Sequence, residues 1–177
     1  MRIVGGKYRG RTLVSFDGDK IRPTGDKVRE SLFNILQFKI AGANFLDLCS
    51  GTGAIGIEAL SRGAKKVTFN DSSKESISVL KKNVEKLNID GNYFISNMTA
   101  QAFLTCTTDK FDLIFIDPPY NSGLLNEILP LTANVLTENG IIITEDEKSF
   151  SGAVDGLNKY DERKYGRVYL TFFKREI

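Results

Sequence analysis

Short apolar runs alternate with segments of helical periodicity along most of this chain. Strands are expected at residues 45–48, 66–69, 92–95, 111–116 and 140–144, where apolar residues dominate. The tail, 168–173, reads as one or two closing strands. Between them the period changes. Val28, Leu32, Ile35 and Leu36 share one face of a helix over 26–38, which Thr24 or Asp26 can cap. A second helix should follow the Gly-rich turn of residues 47–53 and stop at Gly63. Ser72-Ser73-Lys74-Glu75 can act as a capping box for a third, lined by Ile77, Leu80, Val84 and Leu87. A short helix is expected near 100–104, and another from about Gly123, kinked or ended at Pro130. Strands alternating with helices predict an α/β architecture: a doubly wound, mostly parallel sheet with ligands at the strands' C-terminal ends. Before this alternation, residues 2–14 read as a hairpin rich in glycine and arginine, and 16–25 as a loop.

Composition narrows the chemistry. At 177 residues the chain is expected to be a single domain, 1–177. With 41% hydrophobic residues and apolar runs no longer than about six, it has the makeup of a soluble globule without a membrane span. Residues 1–22 lack a signal peptide's apolar core, so a cytoplasmic location is expected. The absence of histidine excludes Ser-His and Cys-His nucleophile systems. Cys49 and Cys106 have no metal-ligand spacing, and no metal is expected. Residues 1–29 hold Arg2, Lys7, Arg9, Arg11, Lys20, Arg22, Lys27 and Arg29 against three aspartates. The chain has 24 basic and 22 acidic residues in all, so the remainder carries a net charge of −3. A basic stretch on a slightly acidic body points to an anionic partner for residues 1–25, unless it is only a solvated face.

Four segments at strand ends carry candidate chemistry. Asp117-Pro118-Pro119-Tyr120 ends the apolar run 111–116. Asp117 and the Pro118 carbonyl can accept the two N–H bonds of an exocyclic amine, and Tyr120 can stack on its base. Asp47 precedes the turn that holds Gly51 and Gly53. It either receives the amino group of a methionine moiety or caps the turn. Gly51-x-Gly53-x-x-Gly56 also matches a dinucleotide pattern, but an acid before it would repel a pyrophosphate. Asp71, at the second strand's end, can hold ribose hydroxyls or cap the next helix. Asn97-Met98-Thr99-Ala100 should border an adenine or serve as an ordinary turn. Together these segments suit methyl transfer from S-adenosylmethionine to an exocyclic nitrogen.

The chain also resembles a known family. The opening, Met1 to Arg11, the block Arg22-Pro23-Thr24 with Asp26 and residues 28–34, the Gly-rich turn, Asp117 to Tyr120 and Lys164-Tyr165-Gly166 are similar to bacterial methyltransferases of guanine N2 in small-subunit ribosomal RNA. Gly25 departs from the family's usual threonine, Asn70-Asp71-Ser72 from its strand-end glutamate, and an aspartate common after the third strand is absent. The resemblance implies a Rossmann-like class I methyltransferase fold with a seven-stranded sheet and an N-terminal hairpin. It implies catalytic roles for Asp117, Pro118, Pro119 and Tyr120. Asp47, Gly51, Gly53, Asp71 and Thr99 would hold S-adenosylmethionine and its product S-adenosylhomocysteine. Arg2, Lys7, Arg9, Arg11, Arg22 and Arg29 would grip RNA. The partner implied is small-subunit RNA or an assembling 30S particle, met by a monomer. Two other readings stay open: a DNA adenine-N6 methyltransferase, and a non-catalytic nucleotide-binding assembly factor.

Overall fold

The computed structural model describes residues 1–16, 25–119 and 123–176. The chain runs α1 (Asp26–Ile35), β1 (Asn44–Asp47), α2 (Ala54–Ser61), β2 (Lys66–Asn70), α3 (Lys74–Lys86) and β3 (Tyr93–Ser96). It continues as α4 (Ala100–Cys106), β4 (Phe111–Ile116), α5 (Leu124–Thr132), β5 (Leu136–Asp146), β6 (Leu157–Tyr165) and β7 (Val168–Arg175). The strands form one seven-stranded sheet in the order β3-β2-β1-β4-β5-β7-β6, parallel from β3 to β5, with β7 antiparallel to both β5 and β6. The order reverses between β1 and β4. Ligands of such sheets bind at that reversal, outside the strands' C-terminal ends.

Alternation along the central strands builds two cores. Leu113 and Phe115 of β4 face one layer with Phe45, Phe69, Ile143 and Phe172; Ile114 and Ile116 face the other with Leu46, Ile142 and Phe173. The first layer is covered by α1, α2 and α3, and the second by α4 and α5. Both faces of β4 are therefore dry from Leu113 to Ile116, which is why these four residues are all apolar; Asp112, only partly buried, accepts from Asn44 N–H and Thr137.

Several elements differ from the pattern-based expectation. The strand β6 was not legible, because Leu157 is its sole fully buried residue and the rest is polar and charged. It lies at the sheet's edge, where charge blocks pairing with another chain. The helix α5 continues past Pro130 to Thr132 instead of ending there. Residue Gly25, without a side-chain cap, precedes α1, and Asp26 bonds Arg29 instead; Thr24 lies outside the described residues. Ser73 caps α3, its hydroxyl accepting from Ser76 N–H at 3.3 Å.

The N-terminal hairpin forms, with a bridge between Arg2 and Thr12, and it packs on the body as a strap. Ile3, Tyr8 and Leu13 are buried in the first core layer. Lys7 N–H donates to the Ser61 carbonyl at 2.7 Å, and Val4 N–H to buried Glu58 at 2.9 Å. Asn83, fully buried, accepts from Val14 N–H and donates to the Val14 and Thr52 carbonyls. The strap's tip lies at the C-terminal ends of α2 and α3, where Tyr8 and Lys7 meet Asp90 and Arg11 meets the Leu87 carbonyl. Thirteen residues of α3 separate this tip from Asp71, about 20 Å at 1.5 Å per residue.

Candidate active site

The loops at the C-terminal ends of β1, β2, β4 and β5 converge. Leu48 N–H donates to the Phe115 carbonyl and Ser50 N–H to the Asn70 carbonyl, which ties the Gly-rich turn to β4 and β2. Gly53 has φ +80°, a conformation that costs other residues strain, and it starts α2. A Cβ on Gly51 would meet nothing within 4 Å, so the turn borders open space. Gly56 serves packing: a Cβ there would lie 2.2 Å from the Phe69 ring.

Asp47 is 1% exposed and accepts from Gly56 N–H at 2.9 Å. Burial pushes its carboxyl up to about 7, against the pull of that hydrogen bond. A carboxylate thus occupies a donor in the first turn of α2, where a dinucleotide's pyrophosphate would sit. This geometry disfavours the dinucleotide alternative. Asp71 accepts from Gly51 N–H and Ser73 N–H, each at 2.8 Å, one with each oxygen. It holds the Gly-rich turn against the end of β2 and keeps a second lone pair on each oxygen for donors such as ribose hydroxyls. Asn97 donates to the Asp71 carbonyl at 2.8 Å. Thr99 caps α4, accepting from Ala102 N–H at 3.2 Å.

Asp117 follows the central strand β4, with Pro118 buried and Pro119 exposed; Tyr120 lies outside the described residues. Burial raises its carboxyl well above the ordinary range, reinforced by Glu145, Asp47 and Asp146. The Cys49 thiol is likewise pushed up, by burial first and then by Asp71, Asp117 and Asp47. The carboxyls at the ends of β1, β2, β4 and β5 therefore lie close enough to act on one another. Such a row suits a ligand that carries positive charge.

The residues present fit S-adenosylmethionine, a sulfonium with a charged amino group. The open space beside Gly51, the acid row and two buried oxygens without partners among the described residues, Ser50 Oγ and Asn70 Oδ1, leave polar capacity for it. An Asp71→Ala variant should bind S-adenosylhomocysteine more weakly by roughly 1–3 kcal/mol. Calorimetry showing wild-type affinity would remove Asp71 from the site.

Sequence reasoning missed Glu145, which is 2% exposed, and Asp146, because it closed the fifth strand at Thr144. Two acids directly after Ile141-Ile142-Ile143-Thr144 were the available signal. It also missed Asn70, whose side chain donates to the Leu48 and Met98 carbonyls and joins three of the loops.

The expected RNA contacts divide. Arg29 is fully buried and bonds Asp26 at 2.8 Å and the Arg2 carbonyl. It joins strap to α1 and cannot reach a phosphate without leaving the core. Lys7 pairs with Asp90 at 2.6 Å, and Arg11 donates to the Leu87 carbonyl at 2.7 Å. Arg2 and Arg9 are exposed, and Arg22 lies outside the described residues. None of the described strap-tip cations is near Asp117.

A family model described as conserved hypothetical protein 95 matches residues 1–174. "Ribosomal RNA small subunit methyltransferase D" of Escherichia coli K12 is 41% identical over 184 residues, covering 99% of this chain and 90% of the relative. The Haemophilus influenzae protein of the same name is 39% identical over 84% of this chain and 79% of its own length. Among solved structures, "Putative methyltransferase yhhF" of Escherichia coli superposes with a TM-score of 0.88 at 36% identity, covering 99% of this chain and 98% of that one.

Proposed function

The chain belongs to the conserved hypothetical protein 95 family, and from that membership we propose that it methylates ribosomal RNA, moving a methyl group from S-adenosylmethionine to a guanine N2 of the small-subunit RNA. The observation that carries this reading is Asp117-Pro118 at the end of β4, the strand that pairs with β1 and is tied to the Gly-rich turn by the Leu48 N–H bond to the Phe115 carbonyl. Relatives named as small-subunit RNA methyltransferases supply the substrate class.

S-adenosylmethionine supplies an electrophilic methyl on a positive sulfur. Gly51 and Gly53 would let backbone approach it, Asp71 would accept from the ribose hydroxyls, Asp47 would provide negative charge for the amino group, and Thr99 would border the adenine. Asp117 and the Pro118 carbonyl accept the two N–H bonds of the guanine amine. Its lone pair, otherwise delocalised into the ring, is thereby directed at the methyl carbon. Transfer would form the N–CH3 bond as the S–CH3 bond breaks and its electron pair returns to sulfur, leaving S-adenosylhomocysteine; the carboxylate of Asp117 would stabilise the positive charge that grows on the nitrogen. The raised proton affinity of Asp117 suits it to take the proton that the methylated nitrogen releases. Tyr120 stacks on the base, which must leave any helix to reach this depth. The protein acts as a monomer in the cytoplasm, on RNA or an assembling particle. Among the described residues, no helix is long and apolar enough to cross a membrane.

Labelled methyl transfer tests the substrate class. Small-subunit RNA, naked or in particles, should accept label and duplex DNA should not. Label in duplex DNA adenine would favour the adenine-N6 reading. Tight cofactor binding without turnover on any RNA would favour an assembly factor.

A further inference from the structure

The basic strap lies at the far end of the molecule from Asp117, so RNA held at the active site needs cations elsewhere. The register of the last three strands supplies them. Residues 157–175 contain Lys159, Arg163, Lys164, Arg167, Lys174 and Arg175 against Asp161 and Glu162, in a chain whose net charge is only +2. These cations fall at two ends. Leu157 pairs with Arg175, which leaves Arg175 beside the N-terminal ends of the parallel strands, where it donates to the Ala133 carbonyl. Tyr165 pairs with Val168 at the opposite end, the end that carries the active site.

The rows of the sheet show how close. Ile116 pairs with Thr144, so Asp117 continues beside Glu145. Glu145 pairs with Leu170, and Leu170 with Arg163. In the next row Asp146 pairs with Tyr169, and Tyr169 with Lys164. Three strand spacings, about 14 Å, separate Asp117 from this edge. That is too far to touch the target base itself and suits a flanking nucleotide. The β6–β7 turn has two residues. Gly166, at φ +62°, takes the first position of a tight hairpin turn, and a Cβ there would meet nothing within 4 Å. The exposed tip therefore projects, with Lys164 and Arg167 on either side of Gly166 and both exposed. The Lys164 ammonium lies 5.2 Å from the Tyr169 ring centroid, and Arg163 is paired with Asp161 at 3.0 Å. The neighbouring strand ends carry Asp47, Asp71, Asp117, Glu145 and Asp146. Such a site attracts a sulfonium but repels a phosphate backbone, so a cationic rim is what a nucleic-acid substrate would require.

We propose that the β6–β7 hairpin, through Lys164 and Arg167, grips RNA phosphates flanking the target guanine. This rests on the RNA-methylation reading above. Lys164 and Arg167 position the substrate and touch no reacting atom.

The test is RNA binding by a Lys164→Ala/Arg167→Ala variant of the full chain, titrated over a range of salt with small-subunit RNA. Two lost phosphate contacts should lower the slope of log K against log salt by about 1.4–1.8 units. The loss in turnover should fall on KM for RNA and not on kcat, S-adenosylhomocysteine affinity should hold, and Lys164→Arg/Arg167→Lys should restore binding. Wild-type affinity and slope in the Ala variant would overturn the proposal while leaving the methylation reading intact. Reduced activity on ribosomal particles with unchanged RNA affinity would also overturn it, by pointing to a protein contact. If the wild-type chain itself neither bound nor methylated RNA, the methylation reading would fall and the hairpin's role with it.

Discussion

Asp117→Ala should bind S-adenosylhomocysteine as the wild type does and methylate RNA about a hundredfold more slowly, a loss of roughly 3 kcal/mol in transition-state stabilisation. In the proposed mechanism the carboxylate is the acceptor that orients the amine and the negative charge that faces the developing cation, and alanine supplies neither. Burial and the neighbours Glu145, Asp47 and Asp146 hold its proton more tightly than usual. The proposed mechanism works through the charged form, so the rate should rise with pH as Asp117 ionises, with the acid limb shifted above the ordinary carboxylate range. Asp117→Asn separates the contributions. Its amide oxygen still accepts a hydrogen bond and does not titrate. It should keep more activity than Ala and lose the acid limb. If Asn were as inactive as Ala, charge or proton removal would be the essential contribution. Wild-type turnover in Asp117→Ala would mean that the active site lies elsewhere.

Asp47 should reveal a cost to stability that function imposes. Its folded-state proton affinity corresponds to about 7, against 3.8 for an ordinary aspartate. Between those values the folded chain binds more protons than the unfolded chain, so stability falls as pH rises through the window. The linkage relation puts the loss between pH 5 and pH 8 at about 2–3 kcal/mol. Asp47→Asn keeps an acceptor for Gly56 N–H and has no proton to lose. Its new N–H donors add a penalty of about 1–3 kcal/mol if unpaired, but one independent of pH. Urea melts at the two pH values should therefore show the variant gaining about 2–3 kcal/mol on the wild type as pH rises. Calorimetry should show weaker S-adenosylmethionine binding at pH 8, where the wild-type carboxylate is charged. Parallel pH profiles for the two proteins would mean that Asp47 stays ionised throughout. Equal cofactor affinity would leave it a turn cap and nothing more.

The apolar runs at β1, β2, β4 and β5 were legible because those strands are buried on both faces, and burial leaves few residue types to choose from. The candidate positions Asp47, Asp71 and Asp117 stood out for the opposite reason: each is an acid at the end of such a run. Their partners were not. Gly51 N–H reaches Asp71 across 20 residues, and Gly56 N–H turns back to Asp47 from inside a helix. Bonds of that kind depend on how loops meet, which no local pattern encodes. The strand β6 escaped because an edge strand needs no apolar face. The strap's hairpin was legible in its composition but its packing was not: Ile3, Tyr8 and Leu13, spaced five apart, fit neither strand nor helix periodicity yet fill the core. Arg29 carries no sequence mark that separates it from exposed Lys27, and only the packing shows it buried.

The guanine-N2 assignment is the centre of the account, and analysis of the methylated nucleoside tests it directly. Purified protein, S-adenosylmethionine and small-subunit RNA lacking its own methyl groups would be incubated, and the digested product examined by mass spectrometry against nucleoside standards. The account predicts N2-methylguanosine at a single position, absent when Asp117→Ala replaces the wild type at equal time. Methyl groups on adenine N6, on a ring nitrogen or on ribose would contradict it.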